Sequence, residues 1–256
     1  MKKCVLITGA ASGIGLATAR EFASHGYDLI ITARREELLQ HIARELKDEF
    51  HVDVTALSFD IRNHTECAEA VANINKPVDI LINNAGLAKG LDFIHEGNLE
   101  HWEQMIDTNL KGLLYMTRLI SPSMVERKSG HIINLCSTAG KEVYPKGNVY
   151  CATKFGVEAL TRAIRADLYS HGIRVSQVSP GHVEETEFAS VRFDGDMQKA
   201  AIYDDFNPLT SKDVAEAIYF IASRPTHVNV QDILMMGTQQ AGSMMVDRTG
   251  RKYDEK

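Results

Sequence analysis

Short apolar runs alternate with amphipathic stretches along almost the whole chain. Seven runs are typical of strands: CVLITG, DLIITA, VTALSFD, DILINNAG, HIINLCS, RVSQVSPG and DILMMG. The first, second, fourth and fifth are almost continuously apolar, which is typical of strands covered on both faces. Helices are predicted between the strands, over residues 13–25, 35–49, 63–75, 99–127 (interrupted near Pro122), 149–171 and 211–223.

This alternation of strands and helices predicts an α/β fold. Consecutive strand–helix–strand units form a parallel sheet with right-handed crossovers, here a doubly wound sheet of about seven strands with helices on both faces. Residues 1–256 are predicted to form a single domain, because no repeat, low-complexity tract or Pro/Gly linker divides them. Residues 180–208 form a charged, irregular insertion, the predicted lid, that is expected to cover the substrate. Residues 237–256 form a polar tail whose end, DRTGRKYDEK, is expected to be frayed.

Composition and charge exclude several classes of protein. The net charge of −6 gives no basic excess for nucleic acid or an anionic membrane surface. The N-terminus, MKKCVLITGA, lacks the apolar region of a secretory signal, and no apolar run approaches the ~20 residues of a membrane span. The cysteines are scattered and the ten histidines form no H-x-x-x-H pattern, so we expect reduced thiols, a cytoplasmic location and no metal site.

A glycine-rich loop joins the first strand to the first helix. The strand runs directly into TGAASGIG, at the position where an open parallel sheet binds a dinucleotide. Gly9 permits the tight turn, Gly13 lets the backbone approach a pyrophosphate, and Gly15 lets the helix pack on the strand. The backbone N–H groups of Ser12, Gly13 and Ile14 would bind phosphate oxygens. A glycine-rich turn without a ligand is the alternative, but the flanking strand and helix favour the binding site.

Two arginines follow the second strand, where NAD-binding proteins of this architecture carry an Asp or Glu for the ribose 2′-hydroxyl. Ala33 occupies that position, and Asp28 lies about 16 Å away at the other end of the strand. Arg34 and Arg35 stand at a predicted helix N-terminus, which repels cations. They could be solvated surface charge, but a 2′-phosphate would explain both. NADP is therefore the predicted cofactor, ahead of NAD.

Five further motifs lie at or near the carboxyl ends of predicted strands. They are NNAG (83–86), DTNLKG (107–112), NLCSTAG (134–140), NVYCATK (148–154) and SPG (179–181). A Tyr-x-x-x-Lys pair alone is a weak signal, since any two residues at i and i+4 share a helix face. Together with TGxxxGIG, however, the order and spacing of these motifs resemble the short-chain dehydrogenase/reductase family over essentially the whole chain.

This resemblance implies a catalytic set of Asn109, Ser137, Tyr150 and Lys154. A free tyrosine has a pKa near 10, so a neighbouring cation, Lys154, and the nicotinamide ring would be needed to favour the phenolate. Tyr150 would then exchange a proton with the substrate oxygen while the cofactor exchanges a hydride with carbon. Ser137 would hydrogen-bond that oxygen. Lys154 would also bind the nicotinamide ribose, and Asn109 would anchor a water chain behind it.

The resemblance also implies the other cofactor contacts and an assembly. Asp60 and Ile61 are expected to line the adenine, and Asn83 and Gly86 to flank the adenosine ribose. The remaining predicted contacts are Ala85, Pro180, Gly181, Val183 and Thr186. A homotetramer is implied, with helices 99–127 and 149–171 forming one interface.

The segment after the sixth strand narrows the substrate class. Its sequence, PGHVEETEFASVRFDGDMQKA, and the later NPLTSKDVAEAIYFIASRPTHVNVQDILMMGTQQ are similar to the NADP-dependent serine and 3-hydroxy acid dehydrogenases within the family. The implied reaction is reversible oxidation of the 3-hydroxyl of serine, allo-threonine or 3-hydroxypropionate, and reduction of the matching 3-oxo acids. A carbonyl or 3-oxoacyl reductase with another substrate and a non-catalytic NADP-binding sensor are the alternatives.

A small carboxylate substrate needs a cation in the pocket, and the planar fork of an arginine matches carboxylate geometry. Arg192, in the predicted lid, is the candidate. It could instead be an exposed charge that pairs with Glu184, Glu185 or Glu187. Lys89, just after NNAG, stands where similar proteins tend to carry an apolar residue; it is either a second carboxylate contact or surface charge.

Overall fold

The computed structural model describes residues 2–253 and contains one seven-stranded parallel sheet. The strands are β1 Cys4–Thr8, β2 Asp28–Ala33, β3 Val54–Ser58, β4 Ile80–Asn83, β5 Gly130–Leu135, β6 Ile173–Pro180 and β7 Asp232–Met235. Their order across the sheet is β3-β2-β1-β4-β5-β6-β7, with every neighbouring pair parallel. The prediction of a doubly wound α/β sheet is confirmed.

The helices connect these strands. They are α1 Gly13–Ser24, α2 Glu36–Phe50, α3 His64–Ala72, α4 Leu99–Ile106, α5 Leu113–Arg127, α6 Asn148–Leu168, α7 Phe188–Arg192, α8 Met197–Ala200 and α9 Ser211–Ser223. Capping side chains fix several starts. The Asn63 side chain accepts from the backbone of Thr65 and Glu66 before α3, and Thr210 and Asp213 form a capping box at α9.

The long crossover between β4 and β5 departs from the prediction at one point. The interruption expected near Pro122 is wrong, because α5 continues through that residue to Arg127. A proline removes only one backbone donor, and Ile120 and Met124 on either side of it are buried in the core. The irregular turn is instead a π-helical segment, Asp107–Gly112, which joins α4 to α5.

Two apolar layers cover the two faces of the sheet. Successive side chains of β1 point to opposite faces, so Val5 and Ile7 belong to one layer and Leu6 to the other. All three are fully buried, and burial of one such side chain contributes about 1.5–3 kcal/mol to stability. Because both faces are covered, the open region beside the central strands lies at their carboxyl ends.

The insertion at residues 180–208 and the tail that begins at residue 237 both contain more defined structure than expected. Residues 180–208 contain the short helices α7 and α8. The expectation of a frayed tail is wrong for residues 247–253, which pack on the lid: the Arg251 guanidinium binds the Glu184 carboxylate at 2.9 and 3.0 Å, and the Gln239 amide donates to Asp247 O and Gly250 O. Residues 254–256 lie outside the described part. No helix within residues 2–253 has both the length and the apolar character to cross a membrane.

Candidate active site

A cavity of about 820 Å³ opens at the carboxyl ends of the central strands. That volume is within the usual range of ligand sites, about 300–1,000 Å³. Most of the predicted site residues line it: Gly9, Ser12, Gly13, Ile14, Gly15, Arg34, Arg35, Asp60, Ile61, Ala85, Gly86, Ser137, Tyr150, Lys154, Pro180, Gly181, Val183, Thr186 and Arg192. The residues predicted for cofactor, proton transfer and substrate therefore share one cavity, and only Asn83 and Asn109 lie outside its lining.

The glycine-rich loop has the geometry of a phosphate cradle. Gly9 and Gly13 have φ values of +68° and +51°, where a side chain would be strained. A Cβ on Gly15 would lie 2.2 Å from Gly9 O, so the helix can approach the strand only without one. Ser12, the N-cap of α1, makes no capping hydrogen bond with its side chain. The donors at this helix start thus suit an anion.

The carboxylate of Glu187 lies beside the glycine-rich loop. The Arg35 guanidinium donates to both carboxylate oxygens of Glu187 at 2.8 and 2.9 Å, and the Ser12 hydroxyl donates to one of them at 3.0 Å. The hydrogen bond from Arg35, followed by that from Ser12, lowers the pKa of Glu187. Arg34 lines the same end of the cavity. These residues fit a phosphate group beside the second strand.

Asp60 and Ile61 line the neighbouring wall, as predicted for an adenine site. Arg62, which the sequence analysis missed, binds the Asp60 carboxylate through Nε at 3.0 Å and also lines the cavity. The hydrogen bond from Arg62 lowers the pKa of Asp60, so this wall carries an ionised carboxylate that can accept a hydrogen bond.

The prediction that Asn83 flanks the cofactor is corrected by the structure. Its amide donates to Thr117 Oγ1 at 3.1 Å and to Asn134 Oδ1 at 2.9 Å, within the protein interior. Asn84 lines the cavity instead and donates to the backbone oxygens of Thr8 and Gly9. Neighbouring residues at a strand end point to opposite sides, and the sequence NN does not show which one faces the site.

Tyr150, Ser137 and Lys154 converge at the centre of the cavity. Tyr150 and Lys154 lie one turn apart on α6, and Ser137 follows β5. The Ser137 side chain acts on the Tyr150 phenol and lowers its pKa. Lys154 Nζ donates to Leu135 O at 2.9 Å and lies 5.9 Å from the centre of the Tyr150 ring. All three side chains are buried, so a substrate oxygen at this point would meet few waters.

Burial is the largest influence on the pKa of Tyr150 in the protein without cofactor. Burial raises the pKa of this phenol, the neighbouring Tyr144 adds to the rise, and the hydrogen bond from Ser137 and the charge of Arg192 lower it in part. Burial also lowers the pKa of Lys154. The expectation that Lys154, together with the nicotinamide ring, favours the phenolate stays a prediction. Two cations flank the phenol: the Arg192 guanidinium lies 5.8 Å from the ring centre and Lys154 Nζ lies 5.9 Å from it.

Asn109 lies behind Lys154 rather than on the cavity wall. Its side chain exchanges hydrogen bonds with the backbone of Leu87, with distances of 2.9 Å from Leu87 N to Oδ1 and from Nδ2 to Leu87 O. Nδ2 also donates to Thr153 Oγ1 at 3.0 Å. The π-helical segment presents Asn109 to these partners, and π segments are frequent at functional sites.

Arg192 lies inside the protein, with 7% of its surface exposed. Its Nη1 donates to the Tyr144 hydroxyl at 3.1 Å and its Nε to Gly90 O at 3.2 Å, whereas Nη2 is buried and has no hydrogen-bond partner within the described residues. The alternative of an exposed arginine paired with lid glutamates is wrong, because Glu187 binds Arg35 and Glu184 binds Arg251.

Lys89 proves to be a structural partner of the lid. Its ammonium group pairs with the Asp194 carboxylate, next to the hydrogen bond between Gly90 N and Arg192 O. These contacts hold the end of α7, and with it Arg192, against the loop after β4. Of the two alternatives for Lys89, a second carboxylate contact gains no support from this geometry.

Comparison with known proteins agrees with this geometry. The family model described as short chain dehydrogenase matches residues 3–196. The chain belongs to the short-chain dehydrogenase family. An NADP-dependent 3-hydroxy acid dehydrogenase of Salmonella typhi is 45% identical over 96% of this chain and 99% of its own. The closed form of serine dehydrogenase complexed with NADP+ is 45% identical, covers 93% of this chain and 96% of its own, and has a TM-score of 0.89. Sulfoacetaldehyde reductase 2 of Chromohalobacter salexigens is 42% identical over 97% of this chain and 100% of its own.

Several side chains that line the cavity of this short-chain dehydrogenase were not predicted from the sequence. Tyr144 comes from the loop before α6, Tyr203 from the lid, and Met244 and Arg248 from the tail. They lie in irregular segments, where no periodic pattern marks a buried face. Among residues 2–253, no group of three or more His, Cys, Asp or Glu side chains is arranged to hold a metal ion.

Proposed function

We propose that this short-chain dehydrogenase is an NADP-dependent oxidoreductase of small 3-hydroxy acids. It oxidises the 3-hydroxyl of compounds such as serine, allo-threonine or 3-hydroxypropionate and, in reverse, reduces the matching 3-oxo acids. The observation that carries the proposal is the buried Arg192, which lies beside Tyr150 and whose Nη2 has no hydrogen-bond partner among residues 2–253. A substrate carboxylate would supply the partner that this guanidinium lacks.

NADP as the cofactor is supported by the phosphate cradle and by the NADP-dependent relatives. Gly9, Ser12, Gly13, Ile14 and Gly15 would hold the pyrophosphate, and Arg34 and Arg35 the 2′-phosphate. The wall at Asp60 and Ile61 would accept the adenine. Ala85, Gly86, Lys154, Pro180, Gly181, Val183 and Thr186 would contact the remainder. When bound, NADP accepts or donates the hydride.

In this proposal Tyr150 transfers the proton. Because burial keeps its phenol protonated at neutral pH, Tyr150 is ready to donate a proton to a carbonyl oxygen during reduction. For oxidation the phenolate must form, and Ser137 and Arg192 already favour it. Ser137 would also orient the substrate oxygen. Lys154, held by Leu135 O, would bind the nicotinamide ribose, and Asn109 would fix the backbone and any water behind it.

The substrate proposal is tested with matched pairs that differ only in the carboxylate. Serine is compared with ethanolamine, and 3-hydroxypropionate with 1-propanol, by following NADPH absorbance. We expect kcat/KM to fall by about 10²-fold or more without the carboxylate, because the buried guanidinium is then left unpaired. Equal rates within a pair would contradict the proposal.

The same assay separates the alternatives. 2-Hydroxyethanesulfonate has the carbon spacing of 3-hydroxypropionate with a sulfonate for the carboxylate, so a preference for it would indicate a sulfoacetaldehyde reductase, as in one relative. Activity confined to bulky ketones or acyl carriers would indicate a different reductase. No turnover with any substrate despite NADPH binding would indicate a sensor.

We also propose the homotetramer that the family resemblance implies. Leu114 on α5 and Phe155 on α6 are each 41% exposed, and a contact between copies would cover them. Light scattering is expected to give about four times the chain mass of 28.4 kDa. A mass of one chain would contradict this assembly.

A further inference from the structure

One lid carboxylate lies at the cofactor end of the cavity, and neither the fold nor the proposed chemistry requires it there. Glu187 precedes α7 and reaches across to Arg35, which follows β2. It accepts three hydrogen bonds: Arg35 Nη1 to Oε1 at 2.8 Å, Arg35 Nη2 to Oε2 at 2.9 Å, and Ser12 Oγ to Oε2 at 3.0 Å. Glu187 is thus held by a planar fork and a hydroxyl, the donors that a phosphate group also prefers.

The two donors come from separate parts of the cofactor site. Ser12 belongs to the glycine-rich loop and caps α1, yet its hydroxyl makes no bond to that helix. Arg35 precedes α2, whose own first turn carries Glu36 and Glu37. Arg35 nevertheless forms its ion pair with the lid residue. Both donors are therefore directed at a common point in the cavity, and Glu187 occupies that point.

The Arg35–Glu187 ion pair has good hydrogen-bond geometry, but a phosphate group can compete for Arg35. The side chains of Arg35 and Glu187 are 51% and 48% exposed, and ion pairs at that exposure contribute little to stability. The hydrogen bond from Arg35 lowers the pKa of Glu187, so the group is a carboxylate at neutral pH. An incoming phosphate would meet this negative charge before it could bind Arg35.

We propose that Glu187 is a cofactor-selectivity residue whose carboxylate competes with the 2′-phosphate of NADP(H) for Ser12 and Arg35. NADP(H) displaces it, whereas with NAD(H) the carboxylate stays on Arg35 and can accept a hydrogen bond from the free ribose 2′-hydroxyl. An acidic residue at the end of β2 has that part in NAD-binding proteins, and Ala33 at that position cannot supply it. Glu187 thereby narrows the preference for NADP over NAD.

The test is equilibrium binding to the Glu187→Gln variant, which removes the charge and keeps the shape. Dissociation constants for NADPH and NADH are measured by nicotinamide fluorescence. We expect NADPH to bind about 3–10-fold more tightly and NADH to bind unchanged or more weakly, because only NADPH carries the phosphate that meets the charge. Adenosine 2′,5′-bisphosphate should show the same gain, and ADP should not.

Two controls locate the effect. Glu185→Gln removes the same charge from the exposed surface of the same lid, and it should leave both dissociation constants unchanged. On an Arg35→Ala background, Glu187→Gln should tighten NADPH binding much less, since only Ser12 remains as a shared partner. Equal tightening of NADPH and NADH, or no change in either, would overturn the proposal. The inference rests on the NADP site alone, so these binding data remain decisive even if the hydroxy acids prove not to be substrates.

Discussion

Replacing Tyr150 by Phe is expected to lower kcat by about 10²–10⁴-fold in both directions, because the variant keeps the ring but loses the proton that the reaction must move. The phenol lies in the cavity with Ser137 and Lys154, and its burial raises its pKa. In the unsubstituted enzyme, reduction should therefore change little with pH near neutrality, whereas oxidation should accelerate as pH rises and the phenolate forms. Steady-state kinetics across pH in both directions measure these effects.

Tyr144→Phe is the matched control for this prediction. Tyr144 is a second buried tyrosine of the same cavity, and its hydroxyl accepts from Arg192 rather than from Ser137. Its loss should leave kcat near the original value. NADPH fluorescence should show that the Tyr150→Phe variant still binds cofactor. Retention of more than about a tenth of kcat by Tyr150→Phe would show that another group moves the proton.

The second large effect is expected from Arg192→Met, which keeps an apolar stem against the Tyr144 and Tyr150 rings and removes the charge. Loss of one partner of a buried charge pair costs about 2–5 kcal/mol. We therefore expect kcat/KM for 3-hydroxypropionate to decrease by a factor of between about 30 and several thousand. The loss should appear mainly in KM, because the carboxylate is bound in the ground state as well as in the transition state.

Three measurements make the Arg192 result specific. The Kd of NADPH should remain unchanged, because Arg192 is not among the proposed cofactor contacts. The thermal midpoint shows whether loss of the hydrogen bond from Arg192 Nε to Gly90 O destabilises the protein. Tyr144→Phe removes a single neutral partner of the guanidinium and should raise KM by only about 2–10-fold. An unchanged KM in a folded Arg192→Met variant would place carboxylate recognition elsewhere.

Motifs at strand ends were the part of the site that could be predicted. The glycine-rich loop and Ser137 each follow a strand, and these strand ends meet at one edge of a parallel sheet, so their convergence follows from topology. The Tyr150–Lys154 pair lies in the first turns of α6 and was predicted from its spacing and from the family resemblance. Asn83 shows the limit of that reasoning, because topology brings NNAG to the edge but does not say which asparagine points outward. Tyr144 and Met244 lie in irregular segments and carried no pattern at all.

The sequence by itself determined the parallel sheet, the order of its helices and the place of the cofactor loop, because these depend on local periodicity and on glycines with a defined backbone role. Only the tertiary structure decided how the charges pair. Arg192 is buried beside Tyr150, Glu187 binds Arg35, and Lys89 binds Asp194. The two ion pairs join residues more than a hundred positions apart. The partner of a long side chain therefore depends on the path of the lid rather than on its neighbours in sequence.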